Sequence, residues 1–321
     1  MIEGEGLFCG VPRIHVPEAC QGVEVVIGVD DDTRCGIIKR ASRVNEAGRG
    51  PVLGSLVYCA AFWPASMNEE ISALGFDDSK QLKDGEREKL FKGIKEHGSI
   101  GWVIGELSAE VISKQMLKAT PQSLNALSYD CVVWMLEKIR DYPINPPVID
   151  KLFIDTVGDP GTYKWVLQRG LGPSSNDWDF TIEKKADANY RVTSAASIIA
   201  KQTRDLQIAT WKWRESTCAA SNLTKEFGSG YPGDPSCVSW MKGDSFHPVF
   251  GYPSLVRFSW GTAKTSMKEN GAVNVNWECD EDDMEGAPAI TKFFGSVSNK
   301  RPKRSPYFVK RELKHVIKSD L

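Results

Sequence analysis

Histidine is scarce in this 321-residue chain, with four residues at 15, 97, 247 and 315. Imidazole-rich metal sites and His-centred catalysis therefore have little to draw on. The eight cysteines include no Cys-x-x-Cys pair, which excludes the usual zinc cluster and redox dithiol. Scattered thiols of this kind read as reduced residues of a cytosolic or nuclear protein. No GxxxxGK[ST], GxSxG or HExxH string occurs, which removes the common phosphate-loop, serine-hydrolase and zinc-protease readings. Long apolar runs are absent as well. The longest mostly apolar stretch, Val52 to Trp63, is too short for a bilayer, and no signal pattern opens the chain. A protein that neither crosses a membrane nor is secreted is expected. Neither sign of charge dominates, the formal net being −2, so nucleic-acid contact would need a local basic patch.

What is present fits one large domain or two modest ones. Val23 to Val29, Val52 to Phe62, Ile100 to Gly105 and Leu152 to Asp155 are apolar and read as strands. Asp84 to His97, Ser123 to Ile139 and Val192 to Thr210 have helical periodicity. This order predicts an α/β or α+β sheet flanked by helices. Residues 1–22 form a loose lead-in, and the core is expected to end near Trp277. Beyond it, six of the eight residues Glu278 to Glu285 are acidic, and Asn299 to Lys318 holds eight Lys or Arg against Glu312. Such charge blocks mark a disordered tail, here 278–321.

With histidine scarce, acids are the better-stocked catalytic resource. Asp30 and Asp155 close predicted strands, Asp187 precedes a helix, and Glu46 precedes the Val52 strand. Carboxylates gathered at one sheet edge would repel one another, and divalent cations remove that conflict. Oxygen ligands favour Mg²⁺ or Mn²⁺, and a pair of such ions can cleave a phosphodiester. The Gly48-Arg49-Gly50 turn lets backbone amides approach a sugar-phosphate while the guanidinium reaches a phosphate. A second glycine-rich loop, Gly228 to Pro235, presents Tyr231 for stacking on a sugar or base.

The strings EAGRGPVLG (46–54), DSK (78–80), DTVGDP (155–160), KKAD (184–187), SAASIIAK (194–201), GSGYPGDP (228–235) and RFSWGT (257–262) occur in one order. Together they resemble the type 2 ribonuclease H (ribonuclease HII) family, in particular its eukaryotic catalytic subunit. The resemblance spans roughly residues 22–277. It implies a ribonuclease H-like mixed sheet with a helical C-terminal extension. It also implies an endonuclease for RNA/DNA hybrids and for single ribonucleotides in duplex DNA, leaving a 3′-hydroxyl and a 5′-phosphate. Carried over by position, Asp155, Asp187 and Glu46 would be metal ligands. Gly48, Arg49 and Gly50 would read the 2′-hydroxyl that separates RNA from DNA. Tyr231 would sit on the following sugar, and Lys80 and Lys184 would contact phosphates. Two non-catalytic subunits in a heterotrimer are implied too.

The chain departs from the family pattern GVDEAGRG. Asn45 precedes Glu46, while an aspartate closes the earlier strand at Asp30. Removing residues 31–45 restores the pattern, so DDTRCGIIKRASRVN reads as an insertion without strong strand or helix character. Asp30 keeps the ligand place if the insertion loops out. Asn45 takes it, with weaker metal binding, if the end of the insertion replaces the strand end. In a third reading the insertion is not part of the working protein. The better strand character of VEVVIGV favours Asp30.

In the tail, Ile290, Phe293 and Phe294 resemble a sliding-clamp-binding box that has Ala287 in place of glutamine. Lys300 to Arg304 reads as a nuclear localisation signal, which points to the nucleus and allows the cytoplasm. A catalytically impaired relative that binds hybrids or scaffolds partner subunits is the alternative, and a DNA-cutting enzyme of similar fold is more remote.

Overall fold

Leu56 to Pro64 is apolar at every position. Alternate residues of a strand point to opposite faces, so such a run needs cover on both sides. In the computed structural model it is the third strand of a six-stranded sheet. The structure describes residues 25–28, 39–76, 83–118, 120–142, 148–155, 159–183, 191–215, 223–243, 245–247 and 249–273. Strands β1 (Val25–Gly28), β2 (Lys39–Ala47), β3 (Leu56–Pro64), β4 (Gly101–Leu107), β5 (Val148–Asp155) and β6 (Asp179–Glu183) lie in the order β1-β4-β3-β2-β5-β6. The pairs β1–β4, β4–β3 and β3–β2 are antiparallel, whereas β2–β5 and β5–β6 are parallel. The predicted mixed sheet flanked by helices is what forms.

The helices are α1 (Asn68–Ser72), α2 (Asp84–Glu96), α3 (Ala109–Met116), α4 (Leu124–Arg140), α5 (Pro160–Leu171), α6 (Arg191–Ala209), α7 (Pro235–Lys242) and α8 (Gly261–Glu269). Their starts have local causes. Ser108 and Ser123 cap α3 and α4 by accepting the Val111 and Ala126 amides at 3.2 and 3.1 Å. Asp159 caps α5 from Thr162 at 2.7 Å, with Pro160 following it. Each such cap contributes about 1 kcal/mol. On one sheet face, Leu56, Tyr58, Ala60 and Phe62 pack with Leu127, Cys131 and Met135 of α4 and Leu167 of α5. On the other, Val57, Cys59, Ala61 and Trp63 pack with Ala195, Ala196 and Ile199 of α6 and Phe91 of α2.

Two expectations are corrected. The 31–45 segment, read as patternless, supplies most of β2, a central strand with neighbours on both sides. Hydrogen bonding to β3 and β5 sets its conformation, overriding its weak propensity. Val25–Gly28, the stronger strand by composition, lies at the sheet edge beyond β4 instead. The chain divides into Met1–Ser266 and Met267–Leu321, and the described residues of the second unit end at Val273. The boundary expected at Trp277 and the whole 278–321 tail lie outside the described residues.

Candidate active site

Parallel pairing brings the C-terminal ends of β2 and β5 together. Val44 pairs with Ile154, and both face the α4–α5 core. One residue further on, Asn45 and Asp155 therefore share the opposite face, on the α6 side. Asp155 in turn pairs with Glu183 of β6. Asn45 is 4% exposed. Its Oδ1 accepts the Glu46 amide at 2.7 Å, and its Nδ2 has no hydrogen-bond partner among the described residues. Glu46 alternates to the α4 side, where its charge acts on Tyr58 and Tyr163. Burial first, and then that charge, push the Tyr58 phenol well above the ordinary tyrosine range. Four further expected site residues, Asp30, Lys80, Lys184 and Asp187, lie outside the described residues.

The next residues form the turn read from sequence. Gly48 has φ +86°, and a Cβ there would meet the Ser55 carbonyl oxygen at 2.6 Å. Only glycine suits that backbone and that gap. Arg49 reaches α4, donating to Ser128 Oγ at 3.4 Å and to Asn125 Oδ1. A Cβ on Gly50 would lie 3.1 Å from Tyr231, so the two glycine-rich loops meet. Backbone bonds join them, with Val52 N donating to Gly230 O at 2.9 Å. Arg204 stands 5.9 Å from the centre of the Tyr231 ring and donates to Ser229 O at 3.2 Å.

Sequence reading missed the brace beneath this turn. The fully buried Arg257 donates to the carbonyls of Gly54, Arg49 and Gly48 at 2.7, 3.1 and 2.6 Å. Trp260 Nε1 donates to Gly50 O at 3.1 Å. Burial, and then the nearby Arg204 charge, draw the Arg257 pKa down to about 9, which still leaves a cation at neutral pH. The signal was the string RFSWGT, which sets an arginine and a tryptophan three residues apart. Their partners lie about 200 residues away, beyond any local pattern. Asp234 orders the second loop, accepting Ser229 N and Oγ at 2.8 and 2.6 Å and Ser236 N at 2.9 Å.

For a divalent cation the described donor set is incomplete. Asp155 and Glu46 supply carboxylates on opposite faces, Asn45 supplies an amide beside Asp155, and no group of three His, Cys, Asp or Glu gathers among the described residues. The family model for ribonuclease HII matches residues 44–263.

The chain belongs to the ribonuclease HII family. It is thus a ribonuclease H enzyme, of the family that hydrolyses RNA in RNA/DNA hybrids. A ribonuclease H2 subunit from Homo sapiens is 38% identical over 301 residues, covering 93% of this chain and 92% of that one. The ribonuclease H2 structure from Pyrococcus horikoshii OT3 superposes with TM-score 0.58 at 31% identity, covering 72% of this chain and 98% of the other. Bst-RNase HIII in complex with Mn²⁺ shares the fold at TM-score 0.52 and 19% identity, over 73% and 70% of the two chains. The ribonuclease HII match opens at Val44, so it takes in Asn45 and leaves Asp30 outside.

Proposed function

We propose that this chain is the catalytic subunit of a type 2 ribonuclease H, cutting RNA in hybrids and at single ribonucleotides embedded in duplex DNA. The observation that carries this reading is the braced Gly48-Arg49-Gly50 turn with Tyr231 seated on Gly50. Two glycines leave the turn's backbone open to a sugar edge, where a 2′-hydroxyl can both donate and accept. Tyr231, 43% exposed, offers its ring to the next sugar. Lys80 and Lys184 would contact phosphates.

Asp155, Asp187 and, reaching round the same sheet end from the other face, Glu46 would hold the divalent cations, Mg²⁺ or Mn²⁺, with one further place contested between Asp30 and Asn45. When bound, a pair of such ions lowers the pKa of a water and stabilises the leaving 3′-oxygen. The products would be a 3′-hydroxyl and a 5′-phosphate. Two non-catalytic subunits, a sliding clamp held by Ile290, Phe293 and Phe294, and a nuclear role in removing ribonucleotides and Okazaki primers complete the reading. That the relatives are themselves named as subunits supports the first of these.

The test is cleavage of an end-labelled duplex carrying one ribonucleotide, beside an all-DNA duplex, with Mg²⁺ or Mn²⁺. Cutting at the ribonucleotide alone, lost in Asp155→Ala with binding kept, is the expected result. Full activity of Asp155→Ala, or equal cutting of DNA, would refute it. One observation, Asn45, favours a second reading: a relative that binds hybrids or scaffolds partner subunits and cuts poorly.

A further inference from the structure

We propose that Asn45, and not Asp30, fills the place beside Asp155, and that the chain therefore grips ribonucleotide-containing duplexes while taking up divalent cations weakly. This rests on the metal site of the proposed function and deepens it.

Strand direction decides between the two residues. Val25 pairs with Gly105, Gly105 with Tyr58, and Tyr58 with Glu46, so Val25 is level with Glu46 across the sheet. Through Trp102 and Ala61, Gly28 is level with Arg43. The chain in β1 thus advances away from the sheet end that holds Asn45 and Asp155. Two strands also separate β1 from β2, about 14 Å across at roughly 4.8 Å per spacing. Asp30 follows Gly28 by two residues, a reach of about 7 Å at most. With β1 and β2 paired as they are, a reach of about 7 Å from Gly28 falls short of the Asp155 end.

The Asn45 side chain is also the wrong way round for a cation. Its one oxygen accepts the Glu46 N–H, and the group without a partner among the described residues is the Nδ2 donor. Turning the amide over would set Nδ2 against the Glu46 N–H, donor against donor. At 4% exposure the residue has little water to relieve either arrangement. A hard dication wants anionic oxygen, and here it meets N–H dipoles and one negative charge fewer. The substrate grip draws on other residues, namely the Gly48 turn, Arg257, Trp260 and Tyr231.

The experiment is Mn²⁺ titration calorimetry on the full chain, with hybrid binding measured in parallel. Asn45→Asp should tighten Mn²⁺ by at least about tenfold and speed cleavage, with hybrid affinity little changed. Asp30→Asn should leave Mn²⁺ affinity as it is. Unchanged affinity in Asn45→Asp, or weakened affinity in Asp30→Asn, would overturn the assignment. If Asn45→Asp does not fold, Asn45→Glu, which also supplies an anionic oxygen, should tighten Mn²⁺ too; no gain there also overturns it. In the Asn45→Asp background, Asp155→Asn should abolish the gain. If it does not, the metal site of the proposed function is what fails.

Discussion

Arg257 sets a buried cation against backbone carbonyls, which are its hydrogen-bond partners among the described residues. Arg257→Gln shortens the reach and leaves at least two of those oxygens without a donor, each costing about 1–3 kcal/mol. We expect the stability read from urea unfolding to fall by roughly 2–6 kcal/mol, and a larger loss of cutting at single ribonucleotides than in continuous hybrids. Lysine should not rescue it, because one ammonium cannot reproduce the planar fork. Asp234 makes a pH prediction. Its hydrogen bonds to Ser229 and Ser236 hold the folded pKa at about 2, against 3.8 ordinarily. A depressed carboxyl pKa stabilises the fold above pH 3.8 and loses that contribution as pH falls towards 2. The melting-temperature gap between the protein and Asp234→Ala should therefore be full at pH 6 and shrink towards pH 2. A gap that stays constant across that range would count against the bonds.

Among the elements, the Gly48 turn tolerates little change. Gly48→Ala combines positive φ with a carbonyl 2.6 Å from the added carbon, a strain of order 1–3 kcal/mol. Denaturation should show that loss, and ribonucleotide-specific cutting should fall with it. Elements with strong periodicity were legible: α2, α4 and α6 match the predicted helices within a residue or two, and β3, β4 and β5 fall on predicted strands. The Gly48 turn and Tyr231 were legible too, as short unusual strings. β2 was not, since Lys39–Ala47 (KRASRVNEA) holds few apolar residues and takes its form from β3 and β5. The same override sent the better strand former, Val25–Gly28, to the edge. Competition between two segments for one central position has no signature in either segment alone.

At the scale of the whole molecule, a near-neutral chain must concentrate its recognition locally. The formal charge of −2 is spread over 40 basic and 42 acidic residues, so the salt dependence of hybrid affinity should report local phosphate contacts alone, with a log–log slope of about −0.9 for each contact. The tail carries the remaining prediction. Changing both Phe293 and Phe294 to alanine should abolish capture on an immobilised sliding clamp, and undiminished capture would remove the clamp-binding assignment.

The brace from Arg257 and Trp260 to the Gly48–Gly50 carbonyls also sets a timetable. A ribosome adds about 5–20 residues per second. The recognition turn therefore leaves it roughly 10–40 s before the residues that clamp it exist. During that interval Asp155 and Asp187 are made as well, still ahead of the brace. If the turn selects ribonucleotides as proposed, a truncated product ending before Arg257 would carry the proposed acids without the brace that shapes that turn.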